Sequence, residues 1–506
     1  MSAVDGVLMG LGNAIAPENL LAVLVGVALG TLVGILPGIG PVGGLTILLP
    51  FTFHMDLTQG IVVMAGIYYG TMYGGSTTSI LAAIPGEVAS TVTCLDGHQM
   101  AKRGRASSAL AIAAIGSFVA GTIGVIGVTF LAPPLVSVAL AFGPAEYFAL
   151  ALLGLSMASF LGSNSLVSGL AMAVVGLELS TVGMDVIFGL PRFTFGMLEL
   201  GAGLDMVPVL MGLFGIAEVL ESLGENQSRT VIKANLFDFR RLWPSKKEMS
   251  AAYGPIARGS LMGFFIGILP GSGAVVSSFV SYAVEKRLSR TPERFGQGAI
   301  EGLAGPESAN NAAAAGAMIP LLTLGLPYSV VTAILLSAMN VQGVYPSPLL
   351  MQREPVFFWT VIASMYIGNV MLLILNLPLV GLWASLLRTP FRVLFPLILL
   401  FCMTGVYATN NRLFDLWIML GFGVIGYFMR KADLPAAPLA LGLVLGPLME
   451  KALSQAMVLS EGNPMIFVTR PFSATVLALA TVVIAIPAFQ AVTARSVISL
   501  PHEEVE

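Results

Sequence analysis

Two short strings in this sequence hold residues suited to chemistry in a water-poor setting. Gly34-Ile35-Leu36-Pro37-Gly38-Ile39-Gly40 and Gly267-Ile268-Leu269-Pro270-Gly271-Ser272-Gly273 repeat one pattern at an offset of 233 residues. Proline with closely spaced glycines interrupts a helix, and a helix that restarts there presents unpaired N–H groups and the positive end of its dipole. Such an end can seat a carboxylate, and glycine lets the backbone approach where a Cβ would obstruct it. Two further stretches add uncharged donors: Gly74-Gly75-Ser76-Thr77-Thr78-Ser79, and Gly305-Pro306-Glu307-Ser308-Ala309-Asn310-Asn311. Glu307 lies in a segment without Lys or Arg from 295 to 352. A carboxylate buried in a membrane is costly and usually functional, so Glu307, helped by Asn310 and Asn311, reads as a cation ligand or proton carrier. The competing reading makes the glycines close-packing contacts between helices. Glu301, Asp96 and His98 read as residues of, or beside, cytoplasmic loops; Asn164, Asn410 and Asn411 read as helix ends.

The elements that position these residues follow from composition. Of 506 residues, 56% are hydrophobic and 10% charged, whereas soluble domains carry charge on about a quarter. Apolar runs long enough to span a bilayer recur to the C-terminus. The fold class expected is therefore an all-α polytopic membrane protein. The net charge of −3 argues against a nucleic-acid partner. Three histidines and two cysteines leave no metal-ligand cluster and no disulfide framework, and no cofactor is expected. The first 101 residues lack Lys and Arg, so no cleavable signal peptide is expected. H-E-x-x-H, G-x-S-x-G and Walker-type strings are absent, so neither an enzyme nor an ATP-driven pump is indicated.

Clusters of Lys and Arg mark cytoplasmic loops: Lys102 to Arg105, Arg229 to Arg258, and Lys286 to Arg294. Between and beyond them, spans are expected near 107–132, 145–162, 165–188, 205–222, 356–387, 394–410, 413–429, 436–454 and 472–494, for about eleven crossings in all. Residues 259–284 have basic residues at both ends and Pro270 in the middle, which predicts a re-entrant hairpin of two half-helices of about a dozen residues each, the alternative being an ordinary kinked crossing. The domain plan is then a membrane half over 1–222, a basic linker over 223–258 and a second membrane half over 259–506.

The halves repeat. Besides the Leu-Pro-Gly-x-Gly pair, Ile84-Pro85-Gly86 is echoed by Leu326-Pro327-Tyr328 at an offset of 242. The flanks of the first turn carry Glu18, His54 and Asp56, and those of the second are basic. After Pro85 comes the Lys102–Arg105 cluster, and after Pro327 only Arg353 and Glu354. Each landmark swaps charge between copies, the signature of an inverted repeat, an architecture common among secondary transporters. The two broken-helix hairpins would meet at one site near the midplane.

The strings GTLVGILPGIGP, YYGTMYGGSTTSILAAIPGEVAS and GILPGSGAVVSSFVSYAVEKRLSRTPERFGQGAIEGLAGPESANNAAAAGAMIPLLTLGLP resemble the large membrane subunit of the tripartite tricarboxylate transporter (TctA) family over nearly the whole chain. That resemblance implies a bacterial inner-membrane permease importing carboxylates with a small four-helix membrane partner and a periplasmic substrate-binding protein. It implies coupling to a Na⁺ or H⁺ gradient. It points to the Pro37–Gly40 and Pro270–Gly273 turns, to Ser76, Thr77, Thr78 and Ser79, and to Glu307, Ser308, Asn310 and Asn311. One position departs: where such proteins commonly read Pro-Gly-Ser, this chain reads Pro327-Tyr328-Ser329. Tyrosine fills space and disfavours a left-handed backbone, which opens the substrate to a different or aromatic carboxylate. Two alternatives stand beside this expectation, a stand-alone ion-coupled carboxylate carrier and an intramembrane enzyme.

Overall fold

The computed structural model describes residues 2–36, 39–161, 166–185, 189–224, 243–271, 273–386 and 391–497, and these are mainly α-helical. Pro37, Gly38, Ser272 and Asn164 lie outside the described residues. The chain opens with α1 (Ala3–Ala14), α2 (Pro17–Ile35), α3 (Gly40–Thr52), α4 (Leu57–Ala82), α5 (Thr91–Met100) and α6 (Ala106–Ala139). Next come α7 (Pro144–Leu161), α8 (Leu166–Ser180), α9 (Met206–Leu210) and α10 (Ala217–Gly224). The second half supplies α11 (Lys246–Ile268), α12 (Gly273–Leu288), α13 (Ile300–Gly316), α14 (Met318–Leu324), α15 (Val330–Val341) and α16 (Pro355–Asn376). The last helices are α17 (Phe391–Asn410), α18 (Leu413–Lys431), α19 (Ala436–Leu459) and α20 (Pro471–Val497). Among the described residues, five helical stretches are long and apolar enough to cross a membrane, and further apolar helices are shorter. This is a multi-pass membrane protein.

Two compact units divide the chain: Met1–Ala141 with Asp205–Met429, and Phe142–Leu204 with Arg430–Glu506. In the smaller unit, α7, α8, α19 and α20 pack together. Gly176 and Gly442 let α8 and α19 close to backbone contact, and the ion pairs Arg192–Glu450 at 2.6 Å and Arg470–Glu146 at 2.7 Å tie the strands of chain. The span expected over 165–188 is shorter: α8 ends at Ser180, and a two-residue antiparallel ladder pairs Gly183 with Arg192 and Met184 with Pro191. The ladder is the one departure from an all-α reading among the described residues.

The larger unit is built around α13. Every residue from Gly302 to Gly316 is buried, because the run is mostly Gly, Ala, Ser and Asn, with few bulky side chains to hold neighbours away. It packs against α11, α12, α5, α6 and α4. A helix buried on every side exposes no face to lipid, so its polar residues must find partners in protein.

Landmarks recur at the two offsets seen in the sequence. Gly26, Gly30 and Gly34 on α2 lie against carbonyls of Val63, Ile67 and Thr71 on α4; Gly259, Gly263 and Gly267 on α11 lie against carbonyls of Gly305, Ala309 and Ala313 on α13. A Cβ on any of the six would fall within 3.0 Å of those oxygens. The packing reading is therefore right for Gly34 and Gly267, the first glycines of the two repeated strings. The helices after the turns begin at Gly40 and Gly273, again 233 apart. At the second offset, α4 ends on left-handed Ala83 (φ 57) and α14 on left-handed Gly325 (φ 69). Four residues on, Glu87 with Ser90 and Ser329 with Thr332 form capping boxes that open the next helical turns.

Several expectations need correction. The arms of the 259–284 segment are longer than half-helices: α11 has 23 residues and α12 has 16, about 34 and 24 Å at 1.5 Å per residue. The longer arm starts at Lys246, inside the expected linker, behind a capping box of Ser245 and Glu248. Residues 225–242 of that linker lie outside the described residues. The span near 356–387 divides into α16 and a separate helix Val380–Leu386. Asp96 and His98 are not loop residues. Both sit buried on α5, and the basic cluster beyond them is a widened helical turn over Ala101–Arg105, with Gly104 at φ 78.

A buried oxygen-rich site at the break after α4

Helix α4 is capped at its start by Asp56, whose carboxylate accepts from the Thr58 N–H at 3.1 Å, and runs 26 residues to Ala82. Pro85 prevents its continuation, and Gly86 lets the turn fold back. A Cβ on Gly86 would strike Gly34 and Gly75, so the turn is pressed into the α2–α4 contact. This places Glu87 inside the protein, 7% exposed.

Four chain segments converge here. The Ser76 hydroxyl donates to Glu307 Oε2 at 2.5 Å, and the Thr93 hydroxyl donates to Glu307 Oε1. Asn310 Nδ2 donates to Glu87 Oε1 at 2.8 Å. One turn along, Asn311 Nδ2 donates to the Ser117 hydroxyl on α6 at 2.8 Å and to the Glu307 carbonyl at 3.0 Å. The Ser79 hydroxyl bonds Ser90 at 2.9 Å, and Ser90 donates to the Glu87 carbonyl at 2.8 Å. Among the described residues, neither Glu87 nor Glu307 forms an ion pair. Two buried carboxylates thus stand among hydroxyls and amides.

The spacing has a helical cause. Glu307, Asn310 and Asn311 stand at i, i+3 and i+4, one face of α13, and Pro306 releases the backbone beside them. Ser76 and Ser79 present the matching face of α4. Thr78 faces elsewhere and donates to the Ile35 carbonyl at the end of α2, at 2.8 Å. Ser308 is fully buried, and among the described residues its Oγ has no partner. Thr77 lines a small cavity with Tyr73, Ser76, Ser117 and Asn376. A neighbouring cavity is lined by Tyr69, Tyr73, Asn311 and Asn369. Each holds about 10 Å³, room for a single water.

The second turn has a partner of its own, and the helix it opens packs against α13 and the Val88–Ser90 turn. The Gly271 N–H donates to the Tyr328 carbonyl at 3.1 Å, with Gly271 at φ 118. Tyr328 is buried, 5% exposed, and is not left-handed; that role falls to Gly325, three residues earlier. The backbone argument against tyrosine is thereby corrected, and the volume argument remains. Gly40 is left-handed at φ 58 with open space where a Cβ would go, its nearest neighbour being the Gly86 carbonyl at 3.8 Å; Gly273 is tight, with Gly267 Cα at 3.0 Å. The structure brings Ser76, Glu307 and Asn310 into one cluster with Glu87. Gly271 and Tyr328 pair with each other.

Sequence reasoning missed Glu87, Ser90, Thr93 and Ser117. For Glu87 a signal existed: it follows the Ile84-Pro85-Gly86 break in a stretch without Lys or Arg up to Lys102, the argument that singled out Glu307. Asp96 was misread, and it is a further buried carboxylate, one with a structural explanation. It accepts from the Gly298 and Ala299 N–H groups at 2.7 Å each and from the Tyr282 hydroxyl at 3.0 Å, fastening α5 to the segment that opens α13.

Residues 20–441 match the family described as the tripartite tricarboxylate transporter TctA family. An Agrobacterium vitis protein named as an uncharacterized 52.8 kDa protein in the TAR-I ttuC′ 3′ region is 48% identical over 488 residues, covering 96% of this chain and 97% of its own. A second, named as an uncharacterized protein in the TAR-II ttuC′ 3′ region of the same organism, is 50% identical over 220 residues, covering 44% of this chain and 91% of its own. No solved structure matches significantly.

Proposed function

Since the chain belongs to the tripartite tricarboxylate transporter TctA family, a family of transporter subunits, we propose that it is the permease that carries an organic di- or tricarboxylate across the bacterial inner membrane. In this reading it works with a small four-helix membrane subunit and a periplasmic binding protein, draws on a Na⁺ or H⁺ gradient, and alternates access between two inverted halves, 1–222 and 259–506, about the linker.

The observation that carries the reading is the fully buried Glu307 held by hydroxyls from α4 and α5, without a basic partner among the described residues. A membrane protein keeps such a group where an ion must pass. The substrate carboxylates would be held by the turns at Pro37–Gly40 and Pro270–Gly273, by Ser76 to Ser79 and by Ser308, with Tyr328 shaping the pocket. Helix ends and hydroxyls suit this task because they supply positive potential without burying a full charge. The cavity of about 10 Å³ beside Ser76 has room for one water and not for a tricarboxylate, so in this reading loading parts the packed halves. The matching landmarks at offsets 233 and 242 support a duplicated unit for that motion.

Uptake of labelled carboxylates into proteoliposomes containing chain and membrane subunit tests this. Uptake is expected only with the binding protein outside and an inward ion gradient imposed. Equal uptake without the binding protein would favour a stand-alone carrier, and no uptake of any carboxylate under either gradient would overturn the reading.

A further inference from the structure

Glu87 and Glu307 come from different elements, the break after α4 and the face of α13, and are linked through Asn310, which stands at i+3 from Glu307 and donates to Glu87 at 2.8 Å. Glu307 is satisfied as an anion, each oxygen accepting one hydroxyl hydrogen. Glu87 accepts from Asn310 and also caps the Val88–Ser90 turn. Hydrogen bonds of this kind serve ionised carboxylates, yet two negative charges remain with no counter-charge among the described residues, a costly arrangement at this depth.

Asn310 provides the independent sign. It is 1% exposed; its Nδ2 is spent on Glu87, and among the described residues its Oδ1 has no partner. An amide oxygen does not take a proton near neutral pH, but it is a ligand for a hard cation, as are carboxylates and the free lone pairs of Ser76 and Thr93. We propose that Glu87, Glu307 and the Asn310 side-chain oxygen, completed by the Ser76 and Thr93 hydroxyls, form the seat of one exchangeable sodium ion.

This deepens the transport reading and rests on it only for the word coupling. A monovalent ion fits the task, since a divalent ion between two buried carboxylates would leave too slowly for a cycle. The ion also orders the events. Before it binds, the two carboxylates repel an approaching anion; afterwards one negative charge is offset, and the repulsion of a substrate carboxylate is weaker. Sodium and substrate must then raise each other's affinity by the same factor.

The test uses the intact chain in lipid nanodiscs, with thermal unfolding followed in sodium, potassium or choline chloride at equal ionic strength. Sodium should raise the wild-type midpoint saturably, and potassium and choline should not. Glu87→Gln, Glu307→Gln and Asn310→Ala should each raise the half-saturating sodium concentration by about tenfold or more, as loss of a charged or dipolar ligand predicts. Exposed Glu293→Gln should leave it unchanged. If a glutamine variant fails to accumulate, Asn310→Ala and Glu87→Asp carry the comparison. An unchanged sodium response in these variants overturns the site. So does a wild-type midpoint raised by acid alone and indifferent to sodium, which would assign a shared proton instead, or one raised equally by potassium. The measurement needs no transport, so a chain that binds sodium here but imports no carboxylate would sink the transport reading and leave the site standing.

Discussion

Glu248 shows how single residues set the start of α11. Partial burial alone would raise its carboxyl, but the Ser245 N–H and hydroxyl and the Arg105 guanidinium outweigh that and hold it at about 2, from an ordinary 4.5. The Arg105 contact is 2.7 Å. Because the folded value lies below the ordinary one, folding favours the ionised form. Its contribution is complete above about 4.5, shrinks as pH falls, and is gone below about 2. Arg105 is 36% exposed, so solvent screening limits the effect to about 1 kcal/mol. Glu248→Gln should therefore lower the thermal midpoint of the detergent-solubilised protein near pH 7, with the gap narrowing below pH 4.5 and closing near pH 2. A gap that widens with acid would reverse the assigned sign.

At the scale of elements, glycine decides how closely helices lie. The stripes Gly26-Gly30-Gly34 and Gly259-Gly263-Gly267 bring α2 onto α4 and α11 onto α13 at backbone distance, where no side chain fits. Those contacts hold α4 and α13 so that Ser76 reaches Glu307. Gly30→Val and Gly263→Val should each cost about 1–3 kcal/mol or more by overpacking and sharply reduce the monodisperse peak in size-exclusion chromatography. Gly12→Val and Gly421→Val, which meet nothing within 4 Å, should retain it. Normal peaks for the first pair would mean that the helices can separate without loss. The turn glycines differ between copies, Gly40 being left-handed and open, Gly273 right-handed and tight. A valine at Gly40 is opposed by backbone strain, and one at Gly273 by collision with α11.

For the whole molecule, the open question is orientation. The inverted-repeat proposal places Lys102 and Lys286 on the cytoplasmic side and Asp56 and Arg353 on the other. In a background lacking Cys94 and Cys402, single cysteines at Lys102 and Lys286 should react with a membrane-impermeant maleimide only after the cytoplasmic face is opened. Cysteines at Asp56 and Arg353 should react in intact cells. The opposite result at either pair would mean that equivalent landmarks face the same side, and the halves would then be parallel copies.

Composition alone was enough to identify a polytopic helical protein, because a chain with 10% charge cannot clothe a soluble surface. Proline and glycine marked the breaks, since their backbone constraints act locally, and the offsets of 233 and 242 returned in the structure as matching helix starts, left-handed caps and capping boxes. Glu307 stood out by lacking a basic neighbour in sequence. What sequence could not supply were the partners. Asp96, beside a basic cluster, reads as solvated, and only the arrival of Gly298, Ala299 and Tyr282 from about 200 residues away makes it a buried clasp. Glu87 gained its meaning the same way, from Asn310, 223 residues distant. Local rules fix where a helix starts and stops, whereas burial and charge compensation depend on which helices meet, and the tertiary structure decides that.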